Sequence, residues 1–288
     1  MDQRLVKSLI ESQFDLKVHR LELIGDLFCT EYLINSEIVF RFPRQKGQNE
    51  IALMPWLSSR LSFKTEAPKW IGEPTKTYPF HFVGFPRSAE NPLSSQPLWS
   101  CQSLDFGRDL GLALKELHQL SVDSKFLGAK KMTRPELSFS QRLKHCEGLW
   151  RKHEGQFEEV GFPIAVLREI FMGYENLEVE NEQVPIHGNL FSRQILINEK
   201  MNFVGFKDWG SVHLGDRGLD LALAWMIFEE PVAKSFFNSY GPLEESQFEL
   251  SLFQALYHSV VMLPYCFKIQ DENLKEWTVF SLRKSIGL

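Results

Sequence analysis

Apolar residues recur three to four apart at Leu5, Leu9, Ile10 and Phe14, which predicts a short amphipathic helix over residues 2–14. The period then changes. Runs rich in apolar and β-branched residues occupy 19–24, 31–34 and 38–42, and Gly25-Asp26 and Asn35-Ser36 interrupt them. Such runs with such breaks predict antiparallel strands joined by tight turns. Helical spacing returns over 47–60 through Ile51, Met54 and Leu57, with Pro55 expected to end or kink that helix. Two more strands are expected at 70–71 and 80–85.

From residue 86 the stretch PRSAENPLSSQP has the composition of a connector, and the lobe boundary is placed there: 1–86 and 87–288. Beyond it, 103–120, 138–157 and 163–178 read as helices, and 216–230, 232–239, 244–263 and 271–285 as a second helical set. Short strands are expected between the sets at 183–186, 195–198 and 202–206. No internal repeat is present in the sequence. The outline is α+β: a small sheet-rich N-terminal lobe and a larger, mainly helical C-terminal lobe.

Composition narrows the function classes. The 288 residues carry 32 basic and 37 acidic side chains, a net charge of −5, and no long basic run. Non-specific nucleic-acid binding needs clustered Lys and Arg against phosphates, so it is not expected; a cationic small molecule suits the charge better. Cys29, Cys101, Cys146 and Cys266 are far apart and form no CxxC pair, so spacing gives neither a zinc site nor a disulfide framework. The N-terminal stretch is charged at Asp2, Arg4, Lys7 and Glu11 and lacks the apolar core of a signal peptide. No run reaches the ~18 apolar residues of a membrane span. A cytoplasmic protein without membrane attachment is the expectation.

Reactive side chains are densest in PIHGNLFSRQILINEKMNFVGFKDWG, residues 185–210, which reads as strand, polar loop, strand, tight turn, strand and Asp-Trp-Gly. This segment resembles the catalytic region of the aminoglycoside phosphotransferase family, small-molecule kinases with the protein-kinase-like fold. That family carries His-Gly-Asp, four residues, Asn, and further on Asp-Phe-Gly or a relative. Here HGNLFSRQ spans His187 to Gln194, and Asp208-Trp209-Gly210 begins nineteen residues after Asn189. IVFRFPR at 38–44 is similar to the family's third strand, QNEIALM at 48–54 to the following helix, GLALKELHQL at 111–120 to its helix ending in Leu-His, and LGDRGLDLA at 214–222 to its Gly-Asp-Pro-x-x-Asp element. Five fragments in one order are far more specific than any one of them. The details are nearest to the aminoglycoside 2″-phosphotransferases and macrolide kinases.

The resemblance implies a bilobal kinase-like fold, a nucleotide (ATP or GTP) with Mg²⁺, and a small hydroxylated, possibly cationic acceptor. It implies that Arg41 meets the nucleotide phosphates, that Glu50 pairs with Arg41, and that Gly25 belongs to the turn covering the phosphates. Asp208 would hold Mg²⁺, Gln194 would offer it a carbonyl oxygen, and Asn189 would orient the acceptor hydroxyl. Glu229 and Glu230 fall where related enzymes line an acidic acceptor pocket. His187 would anchor the loop, and Asp216 and Asp220 would brace it from a helix start.

Three departures accompany the resemblance. Asn189 stands at the catalytic Asp position, and a carboxamide orients a hydroxyl but cannot take its proton. Gln194, one methylene longer than Asn, stands at the metal position. LIGDLFCTEY offers Gly25 alone where a turn rich in small residues is expected. Each residue also has a plainer reading. Asp208 suits a tight turn, Arg41 an outward position on a strand, and Arg41 with Glu50 a surface salt bridge. Asn189 and Gln194 read equally as hydrogen-bonded loop amides, and Glu229-Glu230 as a solvated helix end. Three functions therefore stand open: a phosphotransferase, a kinase-like protein that binds without turnover, and an interaction domain without nucleotide.

Overall fold

The computed structural model describes residues 1–26, 29–44, 49–122, 139–177 and 183–286. Its chain divides into two units, Met1–Ala89 with Asp208–Gly210, and Glu90–Lys207 with Ser211–Leu288.

In the first unit, α1 (Gln3–Gln13) starts where the Asp2 carboxylate accepts the Arg4 N–H at 2.8 Å, and it buries Val6, Leu9 and Ile10. The sheet is antiparallel, in the order β1 (Leu21–Asp26), β2 (Cys29–Ile34), β3 (Ile38–Pro43), β6 (Phe82–Pro86), β5 (Trp70–Gly72). Helix α2 (Asn49–Ser58) and the two-residue β4 (Lys64–Thr65) lie between β3 and β5 in sequence. Asn35 and Ser36 both take positive φ, 51° and 65°, in the tight three-residue connection 35–37 between β2 and β3. This turn sets the register Ile34↔Ile38, Tyr32↔Phe40, Glu31↔Arg41. Burial alternates along both strands, so Tyr32, Ile34, Phe40 and Phe42 enter the core while Glu31 and Arg41 share the other face. Phe42 and Phe82 stack at 4.8 Å in that core. Pro55 lies inside α2 and does not end it, so the helix spans the proline.

In the second unit, β7 (Asn91–Pro92), β9 (Ile195–Ile197) and β10 (Phe203–Phe206) pair antiparallel, as do β8 (Val184–Ile186) and β11 (His213–Gly215). The helices are α3 (Leu104–His118), α4 (Phe139–Glu159), α5 (Ile164–Met172), α6 (Gly218–Ile227), α7 (Glu230–Tyr240), α8 (Glu245–Ile269) and α9 (Glu272–Ser285). The stretch read from sequence as a plain connector contains β7 and two short 3₁₀ turns, Leu93–Ser95 and Leu98–Cys101. α8 runs six residues beyond the expected end, through Pro264, to a left-handed Gln270. Its extent follows from packing: Phe253, Leu256, Val260 and Leu263 are buried with Trp150, Phe157 and Phe171 in one cluster. α8 has the length and composition of a membrane span, but 61% of its most apolar window is buried inside the fold, as in a core helix. All four cysteines are free thiols, and burial pushes those of Cys101 and Cys146 up to about 12.

Candidate active site

Arg41 is the centre of the polar face of the first unit. Its Nε lies 2.7 Å from Oε1 of Glu31, its cross-strand partner, and its Nη2 pairs with Asp208 and, at 3.7 Å, with Glu66. The guanidinium also sits 4.7 Å over the Phe85 ring. The Arg41 side chain is only 12% exposed, and one cation therefore serves three carboxylates in a partly desolvated setting. Ion pairs there are screened less than surface pairs.

Asp208 holds φ at +65°, a left-handed conformation that costs a non-glycine residue about 1–2 kcal/mol. The next residue shows what fixes it: Trp209 is fully buried and its ring stacks on Phe63 at 6.5 Å. Gly25 lies opposite Glu31 in the β1–β2 ladder beside a register shift. A Cβ on Gly25 would come within 2.7 Å of Glu31 Oε2, so the glycine makes room for that carboxylate. The backbone of Glu50 is in α2, and its side chain lies outside the described residues.

The second unit organises the loop that carries Asn189. Asp220, fully buried near the start of α6, accepts the His187 N–H through Oδ2 at 2.6 Å and the Gly188 N–H through Oδ1 at 2.8 Å. His118 Nε2 lies 3.3 Å from Asp220 Oδ2, and His118 Nδ1 lies 2.8 Å from the Tyr240 hydroxyl. With Nε2 donating to the carboxylate, Nδ1 accepts the Tyr240 O–H. Tyr240, His118 and Asp220 form one buried relay from α7 through α3 and α6 to the backbone of the loop at His187 and Gly188.

Gly188 has φ +79°, and a Cβ there would lie 2.7 Å from the Ser211 carbonyl and 2.8 Å from the His213 ring. His187 donates from Nε2 to the Lys207 carbonyl at 2.9 Å, and His213 from Nδ1 to the Ser211 carbonyl at 2.7 Å. Asp216 accepts the Gly218 N–H at 2.8 Å just before α6 begins. Asn189 follows this fixed segment half-buried, and Gln194 is buried, its carbonyl accepting the Lys207 N–H at 3.0 Å.

The structure therefore joins Arg41 to Asp208 in one unit and ties the Asn189 loop to Asp220 in the other. Glu229 and Glu230 follow the C-terminal end of α6. There both are exposed, and Glu229 pairs with Lys284 at 3.4 Å. Sequence reasoning missed Glu31 and Glu66. For Glu31 the signal was incomplete, because a two-residue turn at Asn35-Ser36 would pair 31 with 40, and only the three-residue connection 35–37 makes 31 the partner of 41. Among the described residues no group of three or more His, Cys, Asp or Glu forms a metal cage.

Comparison with known proteins identifies the family and the fold. The family model described as the phosphotransferase enzyme family, APH, matches residues 30–250. The GDP complex of a wild-type aminoglycoside 2'-phosphotransferase superposes with a TM-score of 0.69 at 18% identity, covering 100% of this chain and 99% of that one. A spectinomycin phosphotransferase in complex with ADP and spectinomycin gives 0.72 at 12% identity, covering 99% of each chain. The apoenzyme of a macrolide 2'-phosphotransferase from Brachybacterium faecium gives 0.60 at 17% identity, covering 96% and 97%. No curated protein sequence matches the chain. With the model spanning well over half its length and the kinase-like fold shared end to end, the chain belongs to the aminoglycoside phosphotransferase family of phosphotransferase enzymes.

Proposed function

We propose that the protein transfers the γ-phosphoryl group of ATP or GTP to a hydroxyl of a small molecule, an aminoglycoside-like antibiotic or another sugar amine. The observation that carries this reading is the Arg41–Asp208 pair: a guanidinium and a carboxylate, 167 residues apart in sequence, held together beside Glu31 and Glu66. Phosphoryl transfer asks a protein mainly to hold phosphates, place metal charge and align the acceptor. Arg41 would bind phosphate oxygens, with Glu31 and Glu50 fixing its direction. Mg²⁺ takes few protein oxygens and leaves its other positions to phosphate and water, and Asp208 and the side-chain carbonyl of Gln194 are the residues that would hold it. Bound there, the ion would supply charge against the phosphate oxygens. Asn189, on a loop whose preceding two N–H groups are fixed by Asp220, would orient the acceptor hydroxyl. The GDP, ADP, kanamycin and spectinomycin of the structural neighbours support a nucleotide and an antibiotic-like acceptor.

The test is thermal unfolding with ATP and with GTP, each with and without Mg²⁺, followed by nucleotide turnover across aminoglycosides, macrolides and sugar amines. Ligand at a hundred times its Kd adds about 2.7 kcal/mol of stability. A Mg²⁺-dependent shift with turnover is expected; no shift with either nucleotide and no turnover overturns the proposal. Asn189 favours a second reading, a kinase-like protein impaired in catalysis, since the amide cannot act as a base. Under it, Asn189→Asp raises turnover by about 10²–10⁴-fold; an equally active wild type rules it out.

A further inference from the structure

A small cavity in the second unit adjoins the loop that carries Asn189, and its walls come from that loop, α6, α8 and α9. Its volume is about 20 Å³, where one water molecule needs about 10–15 Å³, and no Asp, Glu, Lys or Arg lines it. The loop contributes Phe191 and Ser192, α8 contributes His258 and Ser259, and α9 contributes Thr278 and Ser281. The Phe191 ring lies 4.8 Å from the His258 imidazole and packs into an apolar cluster with Met262, Cys266 and Leu274. The loop is therefore backed by α8 and α9 just beyond Asn189. Nε2 of His258 is buried without a hydrogen-bond partner, a rare condition for a polar atom inside a protein.

The hydroxyl groups of the α8 and α9 wall have committed their protons. Thr278 donates to Leu274 O at 2.8 Å and Ser259 to Ala255 O at 2.7 Å, which leaves Ser281 as the donor in its bond to Ser259. Burial holds the His258 imidazole down to about 4, so the ring is neutral at neutral pH and one of its nitrogens carries a lone pair. This wall is rich in lone pairs and poor in donors. On the loop side, Ser192 is 3% exposed and its hydroxyl bonds to no described residue. We propose that the cavity binds one water molecule, and that His258, through this water and the Phe191 ring, positions the loop carrying Asn189. The water donates to His258 Nε2, with the ring as its Nδ1–H tautomer, and to a hydroxyl oxygen of α9, and it accepts the Ser192 O–H. Such a site gives the water about three partners, the usual number for a buried one. The effect on catalysis rests on the transfer reading above, whereas the water and its hold on the loop do not.

A high-resolution crystal structure and amide hydrogen exchange, both on the full chain, test this. Wild type should show an ordered water within hydrogen-bond distance of His258 Nε2 and of the Ser192 hydroxyl. His258→Phe keeps a ring against Phe191 and removes the nitrogen, so exchange over residues 187–194 should quicken about tenfold. His258→Gln, whose amide reaches the Nε2 position, should return it toward wild type. If the ring acted by packing alone, His258→Phe would exchange as wild type does and His258→Gln would be the faster of the two. That result overturns the proposal, and so does a map without water at Nε2. Should His258→Phe fail to fold, Ser192→Ala takes its place: it removes the loop's own bond to the water, and unchanged exchange there overturns the proposal equally. With turnover established, His258→Phe should lower kcat about tenfold and leave the nucleotide KM unchanged. Absence of turnover in wild type would strike the transfer reading and leave the map and the exchange rates to decide this one.

Discussion

Asp220→Ala removes the acceptor for two backbone N–H groups at once. Both donors, on His187 and Gly188, are within 2.8 Å of the carboxylate, and the carboxylate is fully buried. A buried donor left without an acceptor costs about 1–3 kcal/mol, and the His118 ring loses its charged partner as well. Some of this overlaps, because the groups share one network, so the expected loss is about 3–5 kcal/mol. Asp220→Asn keeps one oxygen but turns an N–H₂ toward the second backbone donor, and should cost about half as much. Urea unfolding followed by tryptophan fluorescence reads the change. With a slope of about 3 kcal/mol per molar, the midpoint of the alanine variant should fall by about 1–1.7 M. A double-mutant cycle with His118→Ala should show strong coupling. An alanine variant within about 0.5 kcal/mol of wild type would refute the claim that this carboxylate holds the loop.

Gly188→Ala should cost about 1–3 kcal/mol and most of any phosphotransfer activity, since φ is +79° and the new Cβ meets Ser211 O at 2.7 Å; denaturant midpoint and turnover check it. Glu31→Ala should lower stability by about 1 kcal/mol, the Arg41 guanidinium keeping Asp208 and Glu66, and it should make a subsequent Gly25→Ala nearly neutral; additive effects would contradict the close approach of Gly25 to that carboxylate. Burial holds His258 down to about 4, below its ordinary 6.5. The unfolded chain then takes up the proton first as pH falls, so the His258 contribution is complete above about 6.5 and is lost progressively toward 4. Stability measured between pH 7 and 4 should fall less steeply in His258→Asn than in wild type; equal slopes would count against a buried neutral ring.

Some of this was legible in the sequence for physical reasons. The Asn35-Ser36 break implied a hairpin because two adjacent residues must take positive φ, and short polar side chains tolerate that. The alternation around Phe40 and Phe42 gave the core face of β3. The helix expected over 244–263 continues through Pro264 to Ile269, because the apolar cluster with Phe253, Leu256, Leu263 and Phe267 packs it on both sides of the proline. Glu229 and Glu230 were placed by resemblance alone, because neither periodicity nor charge marks an acceptor-facing carboxylate.

Asp208–Gly210 completes the first unit although both of its chain neighbours belong to the second. During synthesis, residues 1–89 leave the ribosome long before Asp208 and Trp209 exist. Until then Arg41 lacks its third carboxylate, and the Phe63 ring lacks the indole that stacks on it. A nascent chain shorter than about 210 residues therefore holds an unfinished N-terminal unit, open to proteases and to chaperones at Phe63. The last stitch of the first unit is made only after two-thirds of the protein has been translated.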